Sequence, residues 1–533
     1  MRFLQKSFIV VLFSLISLVA CKKETSWDVD LAIPLAKSHL NISNFFGDTI
    51  FNADPNGLLH IAFSKDLINF TLDSLVKLPD TTINVGYPSV FSINLTPGVL
   101  VYSNVSSSTD KEIEFDISNG VELNKAIVRS GNLVIEYINT YAQPLDFNYV
   151  INSASIWGVP LTVNQTVNGN STLTKTYSLN GYHINLTGLT GNKVNTLVQT
   201  YTISTNANGV PDVLQPGQGL LIKLKFEDVI PEYVQGYFGQ QNLSFGPDST
   251  LLGLLGNFSP SNLMLTQSAI NFRIINEFGI EMSSSINSMR SIKTSPPNVV
   301  TLNSGNLLQS INVNRANKTG NPSNPVFPWV QQININSSNS NLNAFLQNLP
   351  NYLGYSVNAT LNPLGNISAG NDFAFYGRGL KVIADLDIPL ALSADYFSLV
   401  SYSKVDLTQL KELKDVNSCE IIVQTRNNYP FRAQIQGYML NDQNQVIDSL
   451  FVPGQNIVES AITDVNNVVL NHTDSKLEAI FNKTKIDNLS QCKQIKFVSY
   501  LFLPNQPTPI KINEDSYLDL TVHAYLNYNA STK

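Results

Sequence analysis

A chain of 533 residues with a formal net charge of −7 and a pI near 5.3 is long enough for several domains, because single cores stop growing at about 250–300 residues. Only 14% of the residues are charged while 43% are hydrophobic, which excludes both the basic footprint that nucleic acid requires and a disordered chain. No phosphate loop, dinucleotide fingerprint or metal-binding histidine pair is present among its residues, so neither cofactor nor metal is expected.

The chain opens MRFLQKSFIVVLFSLISLVAC, with charge at Arg2 and Lys6, an apolar run over 8–19, and the lipobox Leu18-Val19-Ala20-Cys21. The run is shorter than the ~20 residues of a membrane-spanning helix and suits a secretory signal. Residues 1–20 therefore read as a lipoprotein signal peptide, with lipid attached to Cys21 by a thioether and cleavage just before it. An ordinary cleaved signal that happens to end near a cysteine is the alternative. Each buried methylene contributes about 0.8 kcal/mol, and two acyl chains already make a stable anchor. The expected address is the outer membrane, reached through this lipid, with display on the cell surface as the finer expectation.

Strands dominate the remainder of the chain. Ser26-Trp27-Asp28-Val29-Asp30-Leu31-Ala32-Ile33 alternates, and Pro34 confines that strand to an edge or a strand end. Asp54-Pro55-Asn56-Gly57 is a turn signature. It also has the look of half a calcium loop, but Phe63 stands where the bidentate glutamate belongs.

A repeat is the most informative internal feature. Leu133-x-Ile135-x-Tyr137-x-Asn139-x-Tyr141 recurs as Ile270-x-Phe272-x-Ile274-x-Asn276-x-Phe278 and as Ile421-x-Val423-x-Thr425-x-Asn427-x-Tyr429. Alternation makes a half-buried strand. The asparagine ends it, either by bonding its own backbone or by taking a positive φ, and the aromatic folds over the core. The expected fold is mostly β: several β-sandwich, immunoglobulin-like modules with a few short helices. The divisions are an N-terminal β region at 21–125, modules at 126–260 and 261–400, and a C-terminal module at 401–533. Helices are expected at 342–348, 405–414 and 474–487, the last capped by Asp474-Ser475. Residues 251–258 (LLGLLGNF) read as a buried turn or a connection, and 315–329 as the longest loop. A second echo matches Asp30-Leu31-Ala32-Ile33-Pro34-Leu35-Ala36 to Asp385-Leu386-Asp387-Ile388-Pro389-Leu390-Ala391, through spatial pairing or a shared module type.

Once Cys21 is lipidated, Cys419 and Cys492 remain, an even pair that an oxidising compartment would permit to bridge. Two inert buried thiols are the equal alternative. Phe327, Trp329 and Trp157 are the candidate ligand-binding aromatics, since sugar rings present C–H faces to aromatic rings. Trp329, at the end of the proline loop, is expected to be the more exposed, although core packing is the commoner fate of tryptophan. His523 reads as a solvated histidine on the last strand. No catalytic motif stands out, so no enzyme is expected, although a pair of distant carboxylates would leave no local signature.

The opening Trp27-Asp28-Val29-Asp30-Leu31-Ala32-Ile33-Pro34-Leu35, the stretch Gln235-Gly236-Tyr237-Phe238-Gly239 and Asn427-Asn428-Tyr429-Pro430-Phe431 resemble uncharacterised Bacteroidota outer-membrane or surface lipoproteins, a group that imports no activity. Lys22-Lys23-Glu24 is similar to their surface-export tracts. Sites at Asp48, Asp73, Asp80, Asp248 and Asp448 look like their O-glycosylation acceptors, or are ordinary Asp-Ser and Asp-Thr turns. The Asn-x-aromatic turn is also loosely similar to late-embryogenesis-abundant type 2 domains, which are β-sandwiches. The expected role is binding or assembly: capture of a glycan, or docking on an outer-membrane barrel protein. Carriage of lipid or other apolar cargo, and surface glycoside hydrolysis by an unrecognised carboxylate pair, are the alternatives.

Overall fold

The computed structural model describes residues 26–531 apart from 43–50, 77–79, 107–110, 252–263, 266, 306–308, 394–395, 408–415, 453–455, 466 and 503–508. Cys21, Asp48 and most of the stretches 251–258 and 405–414 lie outside the described residues. Within them the protein is mostly β, built of antiparallel sheets with short helices. No helix among the described residues is long and apolar enough to cross a membrane.

The sheets form three sandwiches of one topology. In each, four strands lie side by side in the order lead, return, corner, flank. These strands are Thr81–Pro88, Gly219–Tyr237, Glu122–Asn139 and Ser171–Ser178 in the first sandwich. They are Leu59–Thr71, Gly379–Pro389, Ala269–Asn276 and Trp329–Asn336 in the middle one. In the last they are Ser26–Asn41, Tyr517–Ser531, Val416–Asn427 and Thr473–Phe481. The facing sheet begins with the strand after the corner: Leu145–Ile156, Met282–Thr294 or Arg432–Leu440. Each of these pairs with the last long strand before the return strand: Thr196–Thr205, Tyr352–Leu361 or Gln494–Phe502.

The three lead strands are consecutive at the start of the chain, yet they serve the last, middle and first sandwich in that order. The strands of the first hundred residues are thus dealt out among all three cores. Pro34 sits on the edge strand of its sheet, at a register shift between Pro34 and Ala36. The segments 30–36 and 385–391 do not pair with each other; one lies on a lead strand and the other runs off a return strand.

The repeated asparagine closes each corner in the same way. Asn139, Asn276 and Asn427 are at most 2% exposed, and none takes a positive φ. Each Oδ1 accepts the N–H two residues on, at 2.9 Å, from Tyr141, Phe278 or Tyr429. Each Nδ2 donates to the carbonyl four residues on, at 2.9–3.0 Å, on Gln143, Ile280 or Phe431. It donates again to a crossing segment, at Val167 (3.1 Å), Asn314 (2.8 Å) or Glu459 (2.8 Å). The next residue's N–H reaches the return strand, at Gly219, Gly379 or Tyr517. One side chain thus satisfies the backbone where the chain leaves one sheet for the other, in a place closed to water. The aromatic two residues on is fully buried in every copy.

Two helices form where expected or close to it. Leu342–Gln347 buries Leu342, Phe345 and Leu346. The expected helix at 474–487 is corrected: Thr473–Phe481 is a strand and the helix is Lys483–Gln491. The alternation of Ser475, Leu477, Ala479 and Phe481 with charged residues carries the strand. The cap is Asn482, whose side chain accepts from Lys485 N at 2.9 Å. Asp54–Gly57 is a hairpin turn, with Asp54 Oδ1 accepting from Asn56 N and Leu58 N and with Gly57 at φ +80°.

The middle and first sandwiches meet through Asp372–Phe375, which pairs with residues 233–236. The segment 315–329, expected to be a loop, holds a short ladder of Asn317–Lys318 on Val326–Phe327 and clamps this junction. Lys318 Nζ lies 4.8 Å from the centroids of both Tyr233 and Phe373 and bonds the Tyr233 hydroxyl. Burial pushes its pKa down, helped by Lys125 and Arg315.

Cys419 and Cys492 are free and buried, the second of the two readings open from the sequence. Cys419 lies opposite Phe481, and the helix Lys483–Gln491, roughly 13 Å long at 1.5 Å per residue, separates that point from Cys492. Burial pushes the Cys419 thiol up to about 12 and raises Cys492 as well. Iodoacetamide at pH 8 should therefore label neither in the folded chain and both in urea. Mass spectrometry checks this, and labelling of native protein at the rate of a free thiol would refute it.

Candidate functional site

The outer face of the lead–return–corner–flank sheet of the last sandwich carries a polar trough of about 920 Å³. It is lined by three consecutive residues from each of four neighbouring strands: 37–39, 519–521, 424–426 and 474–476. Alternation turns Ser38, Leu520, Thr425 and Ser475 towards the interior. Lys37, His39, Asp519, Thr521, Gln424, Arg426, Asp474 and Lys476 then point outward.

The register sets these eight in two rows across the strands. One row reads His39, Asp519, Arg426, Asp474. Bases and carboxylates alternate along it: His39 Nδ1 meets Asp519 Oδ1 at 2.6 Å and Arg426 Nε meets Asp474 Oδ1 at 3.1 Å. All four side chains are between 42% and 64% exposed, and pairs this wet are screened by water and add little to stability. The ladder therefore orients these groups more than it stabilises the sheet. Tyr517 stacks on the His39 ring at 5.6 Å and gives the row an aromatic end. The second row reads Lys37, Thr521, Gln424, Lys476. Its central hydroxyl and amide can each donate and accept.

Asp474 and Asp519 are the carboxylates nearest to a catalytic pair here. They stand two strand widths apart, roughly 10 Å between Cα atoms. Arg426 fills the space between them, where a glycosidase admits the scissile bond. Among the described residues no cluster of three His, Cys, Asp or Glu side chains could hold a metal. An apolar pocket in the first sandwich, lined by Phe115, Leu179, Leu197 and Phe226 among others, encloses about 60 Å³. That is well short of the roughly 300–1,000 Å³ of a small-molecule site.

The aromatics singled out from sequence are scattered, and none lines the trough. Trp157 is 97% exposed at the tip of the hairpin Leu145–Val167, with φ +52° followed by Gly158 at +81°. Two successive positive φ angles make the two-residue turn that matches the twist of its strands, and they leave the indole no wall to lie against. Trp329, expected to be the more exposed, packs partly against the core. Phe327 beside it is 69% exposed while Val326 is buried. His523 lies on the trough-bearing face but beyond the trough, half-buried, with Nδ1 out of water and unbonded. Sequence reading missed Arg426, Gln424 and Lys37. The alternation that marked Val423, Thr425 and Asn427 as inward also marks Gln424 and Arg426 as outward, but it cannot say which strands lie beside them.

No family model and no curated protein matches the chain. Among solved structures, a protein of Parabacteroides distasonis provisionally described as secreted is similar over 53% of this chain and 82% of its own, with 14% identity and a TM-score of 0.28. A protein from a study of the triple jelly roll fold and turret assembly in an archaeal virus covers 84% of this chain and 91% of its own, with 11% identity and a TM-score of 0.13.

Proposed function

We propose that this chain is an exported lipoprotein, anchored at the outer membrane through Cys21, that captures a glycan on the outer face of its last sandwich. The observation that carries the reading is the trough of four strands with eight outward side chains in register. Sugar hydroxyls donate and accept at once, and they are met here by carboxylates, a guanidinium, an amide and a hydroxyl held in fixed rows. Tyr517 supplies a ring for a C–H face. The role is binding, without chemistry on the ligand.

The test is a glycan array probed with mature protein extracted from membranes, followed by calorimetry on the strongest hit. Arg426→Ala and Gln424→Ala should each weaken binding tenfold or more, about 1.4 kcal/mol, with thermal stability unchanged. Binding that survives both substitutions would place the site elsewhere. The same preparation reports the anchor: Cys21→Ala should move the protein from the membrane to the soluble fraction.

A second reading rests on Trp157. An indole 97% exposed beside Val159 at 68% is the kind of anchor that fills a partner's pocket, and docking on an outer-membrane protein would use it. Co-purification of one barrel protein that is lost in Trp157→Ala would favour this reading over glycan capture.

A further inference from the structure

We infer that the saccharide held in the trough carries an anionic substituent, a carboxylate or a sulfate, that seats on Lys37; the inference rests on the glycan reading above. The lysine and arginine side chains of the trough are each paired with a carboxylate except at this residue. His39 is paired with Asp519 and Arg426 with Asp474. Lys476 is bonded by Glu478, two residues along its own strand. Lys37 lies opposite Thr521, and its ammonium meets no carboxylate among the described residues. In a chain of net charge −7, the Lys37 ammonium is thus a trough cation that no carboxylate among the described residues answers.

Its position gives that cation a direction. Lys37 is on the edge strand of the sheet, at one end of the row that continues through Thr521 and Gln424. A short oligosaccharide lying across the strands would meet neutral groups that donate and accept on two adjacent strands, roughly 5 Å apart. It would then meet the ammonium at the rim, where a longer glycan can leave the sheet. An ammonium is a point charge that accepts carboxylate or sulfate from many angles, so it sets charge preference without fixing one sugar. A fully neutral glycan would leave the ammonium with water alone.

The experiment is calorimetry on the mature chain with two pairs of probes: oligogalacturonate and its fully methyl-esterified form, and a chondroitin sulfate oligosaccharide and its desulfated form. The expected result is at least tenfold tighter binding of the oligogalacturonate, the sulfated oligosaccharide or both than of the matched partner. Lys37→Gln should erase that difference, while Arg426→Ala weakens every ligand that binds. Equal affinities within both pairs, or a preference that Lys37→Gln leaves intact, overturn the inference and leave the glycan reading standing. No binding to any of the four, nor to the array, overturns both.

Discussion

Replacing Asn427 by alanine should unfasten the last sandwich and leave the other two intact. The amide donates to the carbonyls of Phe431 and Glu459, the first of them buried, and accepts one N–H, from Tyr429. Each buried group left without a partner costs about 1–3 kcal/mol, so the loss is roughly 3 kcal/mol or more. Asn427→Asp should be at least as damaging, because a carboxylate would turn its oxygens toward two carbonyl oxygens. Three sandwiches do not melt as one two-state unit, so native-state hydrogen exchange is the proper readout. Protection should fall at Tyr429 and Ala461, whose N–H bonds close this corner. The equivalent positions Tyr141 and Asn170, and Phe278 and Ala316, should keep theirs. A change confined to a few tenths of a kcal/mol would mean that water replaces the amide, and the corner would not be what holds the two sheets together.

Gly279→Ala should open the junction between the first and middle sandwiches. A Cβ on Gly279 would stand 2.2 Å from two ring carbons of Phe373. That ring is only 4% exposed and cannot swing aside. Gly279 N also donates to Phe373 O at 2.8 Å, and Arg315 Nη2 donates to Gly279 O at 2.8 Å. Overpacking of this kind typically costs about 1–3 kcal/mol, and here it falls on the strand Asp372–Phe375 that crosses to residues 233–236. Detachment of that strand should leave both cores folded. Limited proteolysis should then find a new cut near residues 366–378, and small-angle scattering should show a longer particle. Global unfolding without a discrete cut would show that the sandwiches depend on one another for stability.

Much of the architecture was legible in the sequence, because it follows from local chemistry. Period-two alternation marks the corner strands, and a buried polar residue at the end of such a run must be bonded by backbone. The Asn-x-aromatic triplet therefore located three corners of one kind. Pro34 was readable as an edge residue because proline cannot donate to a ladder. The strand Thr473–Phe481 was misread because Asp474-Ser475 is as good a helix cap as it is a pair of strand residues. Only the neighbouring strand Val416–Asn427, more than forty residues earlier, decides between the two. Trp157 defeated a composition argument for a similar reason: tryptophan is usually buried, but a two-residue hairpin tip has nothing to bury it against.

What the sequence determined by itself was the β class and the three corners, both of them properties of short stretches. The tertiary structure alone decided that consecutive lead strands serve the last, middle and first sandwich in turn. It alone placed Lys37 and His39 beside Thr521 and Asp519, nearly the whole chain away. Strand pairing is set by which edges remain open once each core has formed, and the pairing of distant strands leaves no periodic trace along the chain. A trough made of four strands drawn from both ends of the sequence can therefore be read only after the fold has closed.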